Sequence, residues 1–194
     1  RGRYGDDLAR YIQEVLLVTS GRAFVLFTSY KLLNEVYEYC YESLADAGIS
    51  ALCQGKAPRE LLLERFRIDT RSVLFGTSSF WEGVDVPGET LSCVILTKLP
   101  FQVPTHPVVS ARVRRLEESG YNPFTEYMLP QAVIRFKQGF GRLIRCTTDH
   151  GVVVVCDTRL LTKSYGETFL HSIPECRIVT RSGDETLKAI ASWL

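Results

Sequence analysis

The chain has 194 residues, of which 45% are hydrophobic and 23% charged, and a formal net charge of +1. That is the composition of an ordinary folded domain with a substantial core, and near-neutrality excludes a whole-molecule field that would draw in nucleic acid or a membrane surface, so any basic site has to be local. No apolar run approaches the ~18 residues of a membrane span, and the opening RGRYGDDLARYIQ carries no signal-peptide pattern.

In chain order, DDLARYIQEVLLVTS reads as a helix with an acidic first turn, and AFVLFTS (23–29) as the first strand. YKLLNEVYEYCYESLADAG predicts a helix that Gly48 ends, and ISALCQ (49–54) a weaker strand. PRELLLERFRID is a helix begun by Pro58, a natural first-turn residue. SVLFGT (72–77) and LSCVILTKL (91–99) follow as strands, then PVVSARVRRLEESG and the long segment from Thr125 to Arg145 as helices. GVVVVCD (151–157) and CRIVT (176–180) complete the strands, with helical patterns in SYGETFLHSI and DETLKAIASWL.

The strand runs are short and nearly continuously apolar, which suits strands covered on both faces. Their alternation with helices implies an α/β fold with a mostly parallel sheet. In such sheets the ligand site lies in the loops beyond the carboxyl ends of the strands. Those loops are Ser29–Tyr30, Gln54–Gly55, Thr77 to Gly88, Pro100–Phe101 and Asp157 to Arg159. There is no internal repeat, low-complexity tract or linker, so residues 1–194 are expected to form one domain.

The six cysteines (Cys40, Cys53, Cys93, Cys146, Cys156, Cys176) form no C-x-x-C pair and have no histidine in ligand spacing. Most sit inside apolar runs, so reduced, buried thiols are expected in a cytoplasmic protein, with no metal or iron–sulfur site in this chain.

The loop G-T-S-S-F-W-E-G-V-D-V-P-G, residues 76–88, follows a strong strand and combines glycines, hydroxyls, two carboxylates and Trp81. Small hydroxyl residues and free backbone N–H groups at a strand end allow a phosphate to approach closely; a decorated turn with Trp81 capping the core is the competing account. The common nucleotide signatures are absent. Gly55-Lys56 has Ser50 where a P-loop needs its first glycine and Ala57 where it needs a hydroxyl; G-x-G at 139–141 has Ile144 in place of a third glycine and follows a helical pattern. No G-x-S-x-G elbow occurs, and His106, His150 and His171 have no evident nucleophile partner.

The segment Q-G-F-G-R-L-I-R, residues 138–145, is the most informative. At roughly 100° per residue, Leu129, Val133, Phe136, Phe140 and Leu143 form an apolar stripe, and Gln131, Arg135, Gln138, Arg142 and Arg145 the opposite one, with Gly141 at its edge. A solvated basic face explains Arg135 but not the glycines, since each one inside a helix costs about 0.5–1 kcal/mol relative to alanine. A close neighbour or a local distortion explains them better. Gln138, Arg142 and Arg145 present one amide and two guanidinium forks to a single target, and such forks match phosphate oxygens.

The whole segment resembles the Q-x-x-G-R-x-x-R signature, motif VI, of superfamily 2 helicases. F-W-E-G-V-D-V-P-G is similar to motif V of the DinG/XPD-type branch, V-L-F-T-S-Y to its motif IV, and K-L-P-F-Q-V-P-T-H-P-V to the run that follows motif V. All four stand in family order, from about residue 24 to 160. The chain thus resembles the second, C-terminal RecA-like domain of a DinG/XPD-type ATP-dependent DNA helicase.

That resemblance implies a RecA-like three-layer domain without its own Walker A motif. It implies that Arg142 and Arg145 reach ATP phosphates held by a separate first RecA-like domain, one of them as arginine finger. Gln138 would help hold the nucleotide or attacking water, Gly141 would permit close approach, and Gly83, Asp85 and Glu82 would belong to the nucleotide network. Ser29, Tyr30, Thr77 and Ser78 are candidates for contacts to single-stranded DNA, since hydroxyls and backbone amides bind phosphates without reading sequence. ATP and Mg2+ would be held mainly by the first domain of the same polypeptide. The iron–sulfur cluster that some members carry, and the exonuclease domain of others, would also lie outside this chain. The expected whole is a helicase moving 5′ to 3′, of which this fragment alone neither hydrolyses ATP nor unwinds DNA, with no membrane partner. The alternatives are a catalytically inactive RecA-like module for binding protein or nucleic acid, and a stand-alone Rossmann-like enzyme.

Overall fold

The computed structural model describes residues 2–77, 80, 91–103, 106–143, 150–180 and 183–193, with the backbone only at 2–4 and 142. Helix α1 (Gly2–Val18) leads into β1 (Ala23–Phe27), α2 (Tyr30–Asp46), β2 (Ser50–Cys53), α3 (Arg59–Ile68) and β3 (Ser72–Thr77). Then come β4 (Cys93–Leu96), α4 (Pro107–Glu118), a π-helical turn (Phe124–Met128), α5 (Leu129–Leu143) and β5 (Val152–Val155). Short helices α6 (Arg159–Thr162) and α7 (Gly166–Leu170) precede α8 (Gly183–Trp193).

The five strands form one sheet in the order β2-β3-β1-β4-β5, and every pairing is parallel. Strand β1 lies at its centre, with Ala23 level with Val73 on one side and Cys93 on the other. Period-two alternation then divides the side chains between two cores. Val25, Phe27, Val73, Phe75, Cys93 and Ile95 meet α1, α2 and Ile190 of α8 on one face. Phe24, Leu26, Leu74, Val94 and Leu96 meet α3, α5 and Phe169 of α7 on the other. Both faces are therefore dry, which is why the strands read as unbroken apolar runs. The weaker pattern of β2 matches its place at an edge, where Ser50 is exposed and only Leu52 and Cys53 are buried.

Three expectations change. Segment 176–180 joins no ladder. Of its residues only Val179 is half-buried, Ile178 is 54% exposed, and β-branched composition does not make a strand without a face to pack on. It stands off the edge of β5, and the two line a cleft of about 1020 Å³ together with α8. The long helix starts as a π-turn, closed by Leu129 N–H donating to Phe124 O, so the distortion lies upstream and α5 runs unbroken through Gly139 and Gly141. Helix SYGETFLHSI is reduced to the five residues of α7.

The chain leaves β1 over one face through α2, and leaves β2 and β4 over the other through α3 and α5. In open α/β sheets such a reversal marks the carboxyl ends of the central strands as the place for a ligand. No described helix is long and apolar enough to cross a membrane.

Candidate functional site

Two surfaces carry the candidate residues, and the fold keeps them apart. The first is the crest formed by the carboxyl ends of β1, β2 and β3. Ser29 caps α2, its hydroxyl accepting from Leu32 N–H at 3.4 Å, and leaves Tyr30 exposed in the first helical turn. Gln54 extends β2 by donating its N–H to Phe75 O at 2.9 Å. Its side-chain carbonyl accepts from the N–H of Thr77 at 2.7 Å and from the Thr77 hydroxyl at 3.0 Å. Its amide nitrogen donates to the Tyr30 hydroxyl oxygen at 2.5 Å. One carboxamide thus ties three neighbouring strand ends together. Thr77 is buried, whereas Tyr30 is 53% exposed.

The second surface is the outer face at the C-terminal end of α5. Ala132, Phe136, Phe140 and Leu143 are buried on the sheet side, and Gln138 and Gly141 are exposed on the opposite side. A Cβ added at Gly141 would meet nothing within 4 Å among the described residues, which leave open space above that position. Gly139, by contrast, is buried. Leu143 packs against Gly151, whose added Cβ would stand 2.7 Å from a Leu143 methyl and 2.6 Å from Ser92 O. This end of α5 therefore lies by the amino ends of β4 and β5, at the far end of the sheet from Tyr30 and Thr77. Arg142 continues the helix beside Gln138, while Arg145, Gly83, Asp85, Glu82, Ser78 and Trp81 lie outside the described residues.

Sequence reasoning placed Gln54 and Asp157 in strand-end loops but gave neither a role. Asp157, at the end of β5, is a fully engaged clamp. Its Oδ2 accepts from Leu99 N–H at 2.9 Å, and its Oδ1 from Arg159 N–H at 3.0 Å. The Arg159 guanidinium closes on both oxygens at 2.6–3.1 Å. Burial pushes the Asp157 carboxyl up, but the hydrogen bonds from Arg159 and Leu99 outweigh it and hold the group below its ordinary value. The same guanidinium lies over the Phe101 ring at 5.6 Å, and Phe101 stacks on Phe124 and meets Tyr165 and Phe169 edge-on. The visible signal was D-x-R directly after a strand.

The apolar cleft between β5 and 174–180 shares no residue with the crest and meets the α5 end only on its buried side. Among the described residues no group of three His, Cys, Asp or Glu side chains could hold a metal ion. Cys40, Cys93 and Cys156 have their thiols pushed up to about 12 by burial, and Cys53 to about 11. Cys176 departs from the expected burial and is exposed.

Comparison with known proteins matches residues 12–176 to a family described as the helicase C-terminal domain. The chain is 47% identical over 169 residues to the ATP-dependent DNA helicase YoaA of Haemophilus influenzae, covering 87% of this chain and 26% of that protein. It is 40% identical over 176 residues to the ATP-dependent helicase DinG of Mycobacterium tuberculosis, covering 89% and 26%. It is also 36% identical over 183 residues to the 3′-5′ exonuclease DinG of Bacillus subtilis, covering 93% and 20%. The chain spans about a quarter of the length of these relatives. Its fold is similar to that in the structure of S. tokodaii Xpd4, with a TM-score of 0.62 at 21% identity over 90% of this chain and 34% of the other. The sheet of parallel strands between helical layers is accordingly the RecA-like fold, and the chain belongs to the helicase C-terminal domain family, with DinG and YoaA proteins among its relatives.

Proposed function

We propose that this chain is the second RecA-like domain, the motor half, of an ATP-dependent DNA helicase of DinG/XPD type moving 5′ to 3′ on single-stranded DNA. The observation that carries the reading is the separation of its two polar surfaces. A motor must hold fuel and track at different places, and here an exposed Gln138–Gly141 face and a hydroxyl-bearing crest lie at opposite ends of one sheet.

The open space over Gly141 and the exposed Gln138 amide suit the phosphates of a nucleotide bound on a first RecA-like domain of the same polypeptide. Gln138, Arg142 and Arg145 would hold that group, with Gly83, Asp85 and Glu82 contributing from the loop before β4. The guanidinium forks fit phosphate oxygens, and in this reading Mg2+ and any iron–sulfur cluster are held mainly by the first domain's side. Bound ATP supplies the phosphoryl group whose transfer to water drives the cycle. Arg142 and Arg145 neutralise charge as it develops on the phosphate oxygens, and Gln138 helps hold the nucleotide or the attacking water. The strand ends bearing Ser29, Tyr30, Thr77 and Ser78 form part of the DNA path.

In the full-length protein, Arg142→Ala and Arg145→Ala should each lower DNA-stimulated ATP turnover by at least about a thousandfold and leave binding of single-stranded DNA in place. Undiminished turnover in both variants would remove the finger assignment and favour a catalytically inactive binding module. The isolated chain should show no ATPase or unwinding.

A further inference from the structure

We infer that the Gln54 carboxamide fixes the hydrogen-bond polarity of the crest, turning the Tyr30 hydroxyl proton outward as a donor to a backbone phosphate of the single strand. This rests on the proposed DNA path and deepens it by naming the donor and the residue that positions it.

A backbone N–H only donates, so the Gln54 atom 2.7 Å from Thr77 N is the carbonyl oxygen. The two ends of a carboxamide differ, so its NH2 group is then the end that faces Tyr30. An NH2 group has protons and no lone pair to offer, which makes the Tyr30 oxygen the acceptor at 2.5 Å. The phenol's own proton is not used on Gln54, and the ring stands 53% exposed on the crest.

Thr77 takes the complementary part. Its single hydroxyl proton goes to the same Gln54 carbonyl at 3.0 Å, and the residue is 6% exposed. Of the two side chains that Gln54 joins, Tyr30 therefore supplies the proton and Thr77 holds the relay in place. The backbone keeps this geometry fixed, because Gln54 N–H continues the ladder onto Phe75 O and Phe27 lies in register with Thr77.

Glutamine is required at position 54 for a chemical reason. A glutamate would still accept from both Thr77 donors, but its second oxygen could only accept, so Tyr30 would turn its proton inward. Gln54→Glu thus keeps the shape and two of the three bonds while reversing the third.

The test is a double-mutant cycle in the full-length protein, read as affinity for a fluorescein-labelled oligo-dT by anisotropy at fixed salt. Tyr30→Phe should weaken binding about 10- to 100-fold, the range for a hydrogen bond to a charged group. Gln54→Glu should weaken it at least as much, because it adds a charge to the loss of the donor. The decisive term is the coupling: Tyr30→Phe made in the Gln54→Glu background should change affinity less than about twofold. The charge contribution of Glu cancels in that comparison, and matching urea midpoints for wild type and Gln54→Glu establish that the variant is folded. A Tyr30 loss of full size in the Gln54→Glu background overturns the relay alone. A neutral Tyr30→Phe overturns the relay and the DNA contact together, while the Arg142 and Arg145 experiment stands apart from both.

Discussion

Replacing Asp157 by alanine removes the acceptor that joins the ends of β4 and β5. Leu99 N–H, on a residue 1% exposed, is then left without its partner, at about 1–3 kcal/mol for an orphaned buried donor. The Arg159 share is smaller, because its side chain is 41% exposed and water rehydrates the guanidinium; an ion pair of that kind contributes up to about 1 kcal/mol. The sum is about 1–4 kcal/mol, or a fall in Tm of about 2–16 °C for a domain of this size. Asp157→Asn keeps a carbonyl for Leu99 and gives up only the charge, so it should cost up to about 1 kcal/mol. Urea denaturation followed by circular dichroism measures both. The reasoning fails if alanine costs less than about 0.5 kcal/mol, or if asparagine costs as much as alanine. The pH dependence has a definite sign as well. Because hydrogen bonds hold the folded carboxyl below its ordinary value, its contribution is complete above the unfolded pKa of about 3.9 and disappears as pH falls through the depressed folded value.

The two contrasting glycines give a second measurement. Gly141→Ala meets open space and should raise the chain's own stability by about 0.5–1 kcal/mol, while lowering ATP turnover of the full-length protein if a partner domain closes on that face. Gly166→Ala would place a Cβ 1.9 Å from Leu160 O and should unfold the α6–α7 corner, visible as a lower urea midpoint. Phe169→Ala empties a fully buried site against Phe101 and Phe136 and should cost about 3–5 kcal/mol by the same assay. With a maleimide probe at neutral pH, Cys176 should label first among the described thiols, and Cys40 and Cys93 only on unfolding; rapid labelling of either contradicts its burial.

Much of the scaffold was legible because both faces of the sheet are dry. Runs such as AFVLF and SVLFGT have no polar side to confuse the reading, and their positions hold to within a residue or two. CRIVT misled for the converse reason: its composition suits a strand, but whether a strand forms depends on a neighbour edge that the sequence does not display. The stripe on α5 was visible from periodicity alone, including its exposed Gln138 and open Gly141. Gln54 and Asp157 were hidden as actors, since their partners are 23 and 58 residues away and only the parallel order brings those strand ends together. The π-turn before α5 leaves no mark in a 3.6-residue pattern.

The central place of β1 also bears on how the chain comes to be made. Ala23–Phe27 comes first in chain order among the described strands, yet its second neighbour, Cys93–Leu96, follows about seventy residues later. At ~5–20 residues per second, the AFVLF segment waits on the order of 4–14 s with one apolar edge unpaired. Helices α1 and α2 can shelter one face of it in that interval, since both pack on the same side of β1 and are complete long before β4. The order of emergence from the ribosome thus makes the α1–β1–α2 unit the natural early shelter, and a mutation that loosens α1 from α2 should reduce soluble yield before it changes anything in the finished domain.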